Sequence, residues 1–302
     1  MGVYHAGSLA VQDRLGVRDL AAHVGRSIGE GIKPVAAAFL ELQPLLVIGA
    51  ADPATGRVWA APLAGDPGFV RATGPRQISV AGGTSHAFGS GGGGTPASPL
   101  AAALATEGTP VGTIALDPRT RRRMRLNGLL RPTPRGFAIE ADRVFANCPK
   151  YLQRRETYET LPDRKPGQPL TTTELSDSQA RFLTAADTFF LASVHEGGAD
   201  ASHRGGNPGF VRVESPRELS WRDYQGNSMY LSLGNLAADP RAGLLFLDWT
   251  TGRALYLTGE ARTEFTPERR VRFTLFEAVE IPAAVPLRWS APEYSPANPE
   301  RP

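Results

Sequence analysis

Short apolar runs bounded by turn-forming residues recur along most of the chain. Residues 44–49, 188–194 and 254–261 are runs of this kind, rich in aliphatic, β-branched or aromatic side chains. Residues 52–56 and 248–252 combine Asp, Thr and Gly in the manner of hairpin turns. Short strands with a turn about every ten residues are typical of a β-barrel or sandwich and not of a doubly wound sheet.

Three segments predict helices instead: residues 17–30, 176–186 and 231–238. In the first, apolar residues recur every four positions from Leu20, which suits a helix packed on a barrel. Ser176 offers a capping start for the second segment, and an Asp-Pro pair stops the third. The expected fold class is therefore mainly β, a β-barrel with a few helices.

The sequence also repeats itself in two ordered blocks. Residues 65–71 read GDPGFVR, and residues 206–212 read GNPGFVR. Residues 112–131 then match residues 243–262 at scattered identical positions, beginning with the glycine that opens each block. Because two ordered blocks are improbable by chance, the repeat predicts two related domains in tandem.

The domain bounds follow from this repeat and from the positions of proline. We expect an N-terminal domain with a leading helix over residues 1–160 and a C-terminal domain over residues 176–302. The linker is expected at residues 161–175, which contain three prolines. A glycine run at residues 91–94 predicts a flexible interruption of the first copy.

Composition narrows the class of protein. The 302 residues are 41% apolar and 21% charged, as in folded globular proteins. No run approaches the roughly 20 apolar residues of a membrane-spanning helix, and no signal-like segment opens the chain, so we expect a cytoplasmic protein with no membrane partner. The single cysteine, Cys148, excludes an internal disulfide, and the histidines show no metal-binding spacing, so no metal site is expected.

The formal net charge of +3 is small, and the basic residues are spread along the chain. Nucleic acid is not an expected partner, because no basic patch is interleaved with aromatic residues. One dense basic run, residues 119–125, places Arg123 and Arg125 on one face of a candidate strand. A solvated outer face is their expected environment, and phosphate binding is the alternative.

Several segments of the second copy together resemble a known family. They are residues 202–206 (SHRGG), 208–211 (PGFV), 226–227 (GN), 233–236 (LGNL) and 239–246 (DPRAGLLF). The chain is similar in these segments to the pyridoxamine 5'-phosphate oxidase-like FMN-binding split barrels. Residues 147–155 are similar to a segment of the tandem members. The resemblance implies two tandem FMN-binding split barrels that form a pseudo-dimer, with FMN as the cofactor.

In that family the flavin lies between two barrels, so the resemblance also implies a site. Its phosphate needs arginine, hydroxyl or amide donors, ideally at a helix N-terminus. The implied cofactor-binding residues of the second copy are Ser202, His203, Arg204, Asn227, Ser228, Ser232, Gly234 and Asn235. Those expected to cover the ring are Lys150, Tyr151 and Arg154 of the first copy, with Arg288 and Trp289 of the C-terminal segment.

Plainer interpretations stay open for several of these residues. His203 and Arg204 could lie in a solvated turn, Asn227 and Asn235 could cap a helix, and Trp289 could pack in a barrel. Related sequences often carry a basic residue near position 228, where this chain has serine. Phosphate affinity would then depend more on Arg204 or on the other domain.

The implied function is that of an FMN-dependent oxidoreductase acting on an unknown small-molecule substrate, with NAD(P)H as a candidate reductant. The alternatives are an F420-dependent reductase of the same superfamily and a non-catalytic flavin- or haem-binding protein. The sequence singles out no catalytic acid or base. A homodimer of the tandem chain is a further expectation.

Overall fold

Two antiparallel β-sheets with one common design make up the computed structural model, which describes residues 3–82 and 98–299. The predicted flexibility of residues 91–94 falls outside the described residues. In chain order, the part up to residue 172 contains α1 (Ala6–Arg14), α2 (Arg18–Gly25), α3 (Pro34–Glu41), β1 (Leu45–Ala51), β2 (Val58–Ala64), β3 (Val70–Gly74), β4 (Gln77–Ala81), α4 (Ala101–Ala105), β5 (Pro110–Asp117), β6 (Arg122–Thr133), β7 (Gly136–Ala146), β8 (Tyr158–Thr160) and β9 (Leu170–Thr172).

The remainder repeats the same succession of strands. It contains α5 (Asp177–Ala185), β10 (Thr188–His195), β11 (Gly198–Gly205), β12 (Val211–Ser215), β13 (Glu218–Arg222), α6 (Leu231–Ala238), β14 (Arg241–Leu247), β15 (Ala254–Glu264), β16 (Arg270–Ile281) and β17 (Leu287–Trp289).

The strand orders of the two sheets are identical. The first sheet runs β2-β1-β5-β6-β7-β4-β3, and the second runs β11-β10-β14-β15-β16-β13-β12. Each strand of the first sheet thus has a counterpart at the same position in the second. The prediction of a mainly β chain built from two tandem split barrels as a pseudo-dimer is confirmed.

The apolar run of β10 is continuous because both faces of this strand are buried. Phe189 and Leu191 belong to the core of the second barrel, whereas Phe190 and Ala192 belong to the core that includes the first barrel. Successive side chains of a strand point to opposite faces, so a strand shared by two cores reads as an unbroken apolar segment. Packing of this kind joins the barrels into one body.

Two glycines of the sequence repeat mark where the barrels touch. A Cβ atom on Gly112 of β5 would lie 2.3 Å from the Cα atom of Asp200 in β11. A Cβ atom on Gly243 of β14 would lie 2.6 Å from the Cα atom of Trp59 in β2. No side chain fits at either position. The repeated glycine therefore permits close backbone approach at two equivalent seams, one formed by β11 with β5 and β6, the other by β2 with β14 and β15.

The helix predictions have mixed outcomes. Residues 231–238 form α6 as predicted, and α5 begins at the predicted cap, where the Oγ atom of Ser176 accepts from the backbone N–H of Gln179 at 3.2 Å. The helix predicted over residues 17–30 is wrong in length, because α2 ends at Gly25. The predicted packing of Leu20 is also wrong, since its side chain is 51% exposed. The sequence reasoning also missed α1, α3 and α4.

The predicted linker, residues 161–175, contains β9, which pairs with β16 of the second sheet. The three domain bounds stay a prediction. Across residues 3–82 and 98–299, no helix has both the length and the apolar character that crossing a membrane requires.

Candidate cofactor site

Two adjoining cavities open at the seam where β11 lies against β5 and β6, called here the cationic seam. Their empty volumes, which include open solvent, are about 630 and 440 Å³. Both cavities are lined by Arg125, Arg204, Asp223, Tyr224, Gly226 and Asn227. The larger cavity adds Arg123, Asn147, Cys148, Lys150, Tyr151, His203, Gly205, Phe210, Trp221 and Arg222, and the smaller adds residues 228–233.

Asp200 of β11 is the buried anchor of this seam. Its carboxylate accepts a hydrogen bond from the Nη1 atom of Arg125 at 2.9 Å and one from the Nδ2 atom of Asn127 at 3.2 Å, both across the seam. The Oγ atom of Ser232 donates its proton to the same carboxylate at 3.2 Å and lies 3.1 Å from the Oγ atom of Ser202. Ser232 therefore ties α6 to Ser202 and Asp200 of β11, and Asp200 connects β11 to the first barrel.

His203 and Arg123 meet across the same seam. The Nη1 atom of Arg123 lies 2.6 Å from the Nδ1 atom of His203, and its Nη2 atom donates to the carbonyl oxygen of Cys148 at 2.6 Å. Burial, together with the neighbouring Arg123 and Arg204 charges, holds the pKa of His203 well below its usual 6.5. Burial and nearby positive charge also lower the pKa of Arg123 to about 9. His203 is therefore neutral and Arg123 charged at neutral pH.

Arg204 lies between the two cavities in β11 rather than in a solvated turn. Its Nη2 atom is 4.0 Å from the carboxylate of Asp223, which is paired more closely with the Nε atom of Arg269 at 2.6 Å. Burial lowers the pKa of Arg204, the carboxylates of Asp223 and Asp200 oppose this shift, and the charges of Arg125 and Arg269 add to it. The guanidinium of Arg204 is thus only weakly neutralised.

The loop before α6 forms one wall of the smaller cavity. Ser228 and Tyr230 have positive φ angles of 61° and 52°, and the Oδ1 atom of Asn227 accepts from the backbone N–H of Met229 at 3.2 Å. Helix α6 begins at Leu231 without a side-chain cap. Uncapped N–H groups at a helix start attract anions.

Two predicted residues of α6 lie on its other side, against α1. Asn235 donates through Nδ2 to the Oγ atom of Ser193 at 3.0 Å, and its Oδ1 atom lies 2.9 Å from the Nε2 atom of His5. A Cβ atom on Gly234 would lie 2.4 Å from the Oγ atom of Ser8. These residues hold the N-terminal helix, and the structure does not bring them to the cavities.

Three predicted ring-covering residues also lie elsewhere. Arg288 pairs with Glu159 at 3.1 Å on the surface, and Arg154 pairs with Glu293 at 3.0 Å. The Trp289 ring is buried, with its centroid 4.8 Å from that of Tyr158 and 5.9 Å from that of Trp249. The structure does not bring these three side chains to the seam, whereas Lys150 and Tyr151 do line the larger cavity.

The most important residues missed as site residues are Arg123 and Arg125. A solvated outer face was expected for this pair, and that expectation is wrong, since Arg125 is only 8% exposed and both line the cavities. Their alternation along β6 was visible in the sequence. The sequence did not show that the second barrel covers that face.

The cavities carry hydrogen-bond donors that have no partner. Within the described ranges, the buried polar atoms without one include the Nε atoms of Arg123, Arg125 and Arg204 and the Nε2 atom of His203. Among the described lining residues, five side chains are cationic and Asp223 alone is acidic. Buried donors left unpaired are costly, so this donor set fits an anionic ligand rich in acceptor atoms, such as a flavin phosphate.

Comparison with solved structures finds several proteins that are similar to part of this chain. A proposed pyridoxamine 5'-phosphate oxidase from Lactobacillus delbrueckii is 15% identical, with 37% of this chain matching 98% of that one at a TM-score of 0.28. An FAD-binding protein from Mycobacterium smegmatis is 13% identical, with 38% of this chain matching 98% of that one at a TM-score of 0.27. A second FAD-binding protein, from Mesorhizobium loti, is also 13% identical, with the same coverages and a TM-score of 0.28. No family model and no curated protein sequence matches the chain.

Proposed function

We propose that the chain binds FMN in the two cavities of the cationic seam and uses it as the cofactor of an oxidoreductase that acts on a small molecule. The observation that carries this proposal is the pair of buried, unpartnered Nε atoms of Arg125 and Arg204, which come from opposite barrels. An anion at this seam would satisfy them and neutralise the excess of positive charge.

The smaller cavity suits the phosphate group. It combines the weakly neutralised guanidinium of Arg204, the buried Ser228 and the uncapped start of α6 at Leu231. A phosphate dianion is stabilised by a guanidinium and by free N–H groups at a helix start. Because Ser228 supplies no charge, we expect Arg125 and Arg204 to carry the affinity.

The larger cavity suits a ring system. Trp221 forms apolar lining, and Tyr151 and Tyr224 lie side by side from opposite barrels with ring centroids 5.1 Å apart. Aromatic faces of this kind stabilise a flat heterocycle. Bound FMN would supply hydride or electron transfer, and the charge of Arg204 would stabilise negative charge on the reduced ring.

The first test is the cofactor itself. Flavin-free protein is titrated with FMN, riboflavin and FAD while flavin fluorescence is followed, and reduction by NAD(P)H under argon then shows whether bound flavin reacts. Binding of FMN much more tightly than riboflavin supports the phosphate site. Equal affinities for the two, or retention of F420 or haem in place of FMN, would contradict the proposal.

The second test is a matched pair of variants. Arg204→Leu removes the charge between the two cavities, whereas Arg262→Leu removes a charge whose side chain is 78% exposed on β15. We expect only the first variant to lose FMN affinity. Equal affinities of the two variants would remove Arg204 from the site.

A further inference from the structure

The charge of Arg123 has no carboxylate partner. In the part of the chain that the structure describes, this guanidinium makes no ion pair, and it donates only to the carbonyl oxygens of Cys148 and Lys150 and to the ring of His203. Its Nε atom is buried without a partner. A guanidinium in that position is stabilised when an anion lies close by.

His203 adds a fixed donor beside this charge. A guanidinium can only donate, so the contact of 2.6 Å from Arg123 makes the Nδ1 atom of His203 an acceptor. The neutral ring then carries its proton on Nε2. This Nε2 atom has no partner, although His203 is only 4% exposed and lines the larger cavity. The ring therefore presents a buried, unused N–H group to that cavity.

Lys150 completes the arrangement at the surface. It lines the same cavity, is exposed and makes no ion pair with any described residue. The flavin phosphate is assigned to the smaller cavity, where Arg204, Ser228 and α6 meet. Arg123, His203 and Lys150 therefore form a second group of donors that one phosphate does not use.

We propose that Arg123, His203 and Lys150 bind an anionic oxygen group of the redox substrate, a carboxylate or a phosphate, beside the flavin in the larger cavity. The inference rests on the proposed function, since it divides that seam between cofactor and substrate. His203 donates through Nε2–H to the anion, Arg123 sets the tautomer of His203 and supplies charge, and Lys150 attracts the anion at the opening.

The probes are inorganic phosphate and acetate, each titrated at constant ionic strength against a sodium chloride control. In FMN-loaded protein, anion binding is measured by the change in the visible spectrum of the flavin. In flavin-free protein, it is measured by the shift in melting temperature. We expect Arg123→Gln to lower the affinity for the preferred probe by about 10- to 100-fold, and Lys150→Ala to lower it by several-fold. The affinity for FMN should change by less than about threefold in both variants. Arg262→Gln serves as the exposed control.

The outcomes separate the two proposals. A response to phosphate alone identifies a phosphate group on the substrate, and a response to acetate alone identifies a carboxylate. No response beyond the chloride control overturns the inference, as does an Arg123→Gln protein that loses FMN itself, because Arg123 would then belong to the cofactor site. If Arg123→Gln does not fold, the Lys150→Ala and His203→Phe variants test the inference instead, and unchanged anion binding in both overturns it.

The failure of the proposed function has a different signature. Protein that never takes up FMN contradicts the proposed function, whereas an anion response dependent on Arg123 in that protein would still support the anion site.

Discussion

The two seams of the duplicated fold are equivalent in backbone and opposite in chemistry. At the cationic seam, Gly112 of β5 pairs with Asn127 of β6, and Asp200 of β11 crosses at this point. At the other seam, Gly243 of β14 pairs with Thr258 of β15, and Trp59 of β2 crosses there. A buried carboxylate thus corresponds to a buried indole.

The contrast extends along both strands. Arg125 lies two residues before Asn127, and Tyr256 lies two residues before Thr258, so these two side chains correspond. Arg204 and Leu63 correspond in the same way, since each lies four residues after the crossing residue, Asp200 or Trp59. Leu63 is fully buried, Tyr256 is 3% exposed, and burial raises the pKa of the Tyr256 hydroxyl. This apolar seam is filled by side chains that belong to the core. Duplication allows one seam to provide stability through apolar packing while its counterpart keeps buried charged side chains.

The largest expected effect on stability comes from exchanging Leu63 and Arg204, which occupy equivalent positions at the two seams. Leu63→Arg buries a charge without a carboxylate and should lower the free energy of unfolding by about 3–5 kcal/mol. Arg204→Leu should leave the stability of the flavin-free protein unchanged or raise it, because it replaces a weakly neutralised charge with an apolar side chain. Urea denaturation measures both. Similar losses in the two variants would show that the seams do not differ in this way.

The next effect concerns cofactor number and affinity. We expect one FMN per chain, since the buried Trp59, Tyr256 and Leu63 stand at the apolar seam where the cationic seam has Asp200, Arg125 and Arg204. Arg204→Leu should weaken that single site by about 1.5–3 kcal/mol, the value of a charge-assisted hydrogen bond. Fluorescence titration gives the end point and the Kd, with Leu63→Met as the control at the other seam. An end point of two FMN per chain would contradict the comparison.

A smaller effect is the pH dependence that His203 adds to the cationic seam. The pKa of His203 is depressed by burial and by the charges of Arg123, Arg204 and Arg125. In the unfolded chain His203 binds a proton near pH 6.5, whereas in the folded chain it stays neutral at that pH. The free energy of unfolding therefore falls as the pH drops below 6.5. One such group costs about 1 kcal/mol between pH 6.5 and 5.5.

The check is urea denaturation of wild type and His203→Phe at pH 6.5 and 5.5. Carboxylates and His5 titrate in both proteins, so the difference in slope isolates His203. The variant should lose less stability than wild type on acidification. Equal losses would mean that folding does not lower the pKa of His203.

The smallest effect lies outside both seams. Arg288 and Glu159 form an ion pair whose side chains are 51% and 58% exposed. Such a pair is screened by water, so Arg288→Ala should change the free energy of unfolding by less than about 0.5 kcal/mol and leave FMN affinity unchanged. A clear loss of FMN affinity would return Arg288 to the site, where the resemblance first placed it.

The two barrels were predictable because their evidence is local and repeated. Apolar runs, hairpin turns and the glycine that opens the second block of the repeat all follow from neighbouring residues. The capping start at Ser176 and the helix over residues 231–238 were correct for the same reason. Short helices such as α1 were missed because packing against α6, rather than an amphipathic pattern, keeps α1 helical.

The candidate site was only partly predictable because it depends on which faces the second barrel covers. The sequence by itself determined that the chain is a tandem pair of β domains, and its resemblance to the flavin-binding split barrels singled out His203 and Arg204 as candidates. Only the tertiary structure decided that Arg123 and Arg125 face inward, that Asn235 holds the N-terminal helix, and that one seam is charged and the other filled. Alternation along a strand defines two faces, but the partner packed against a face decides whether a charge lies in water or in a binding cavity.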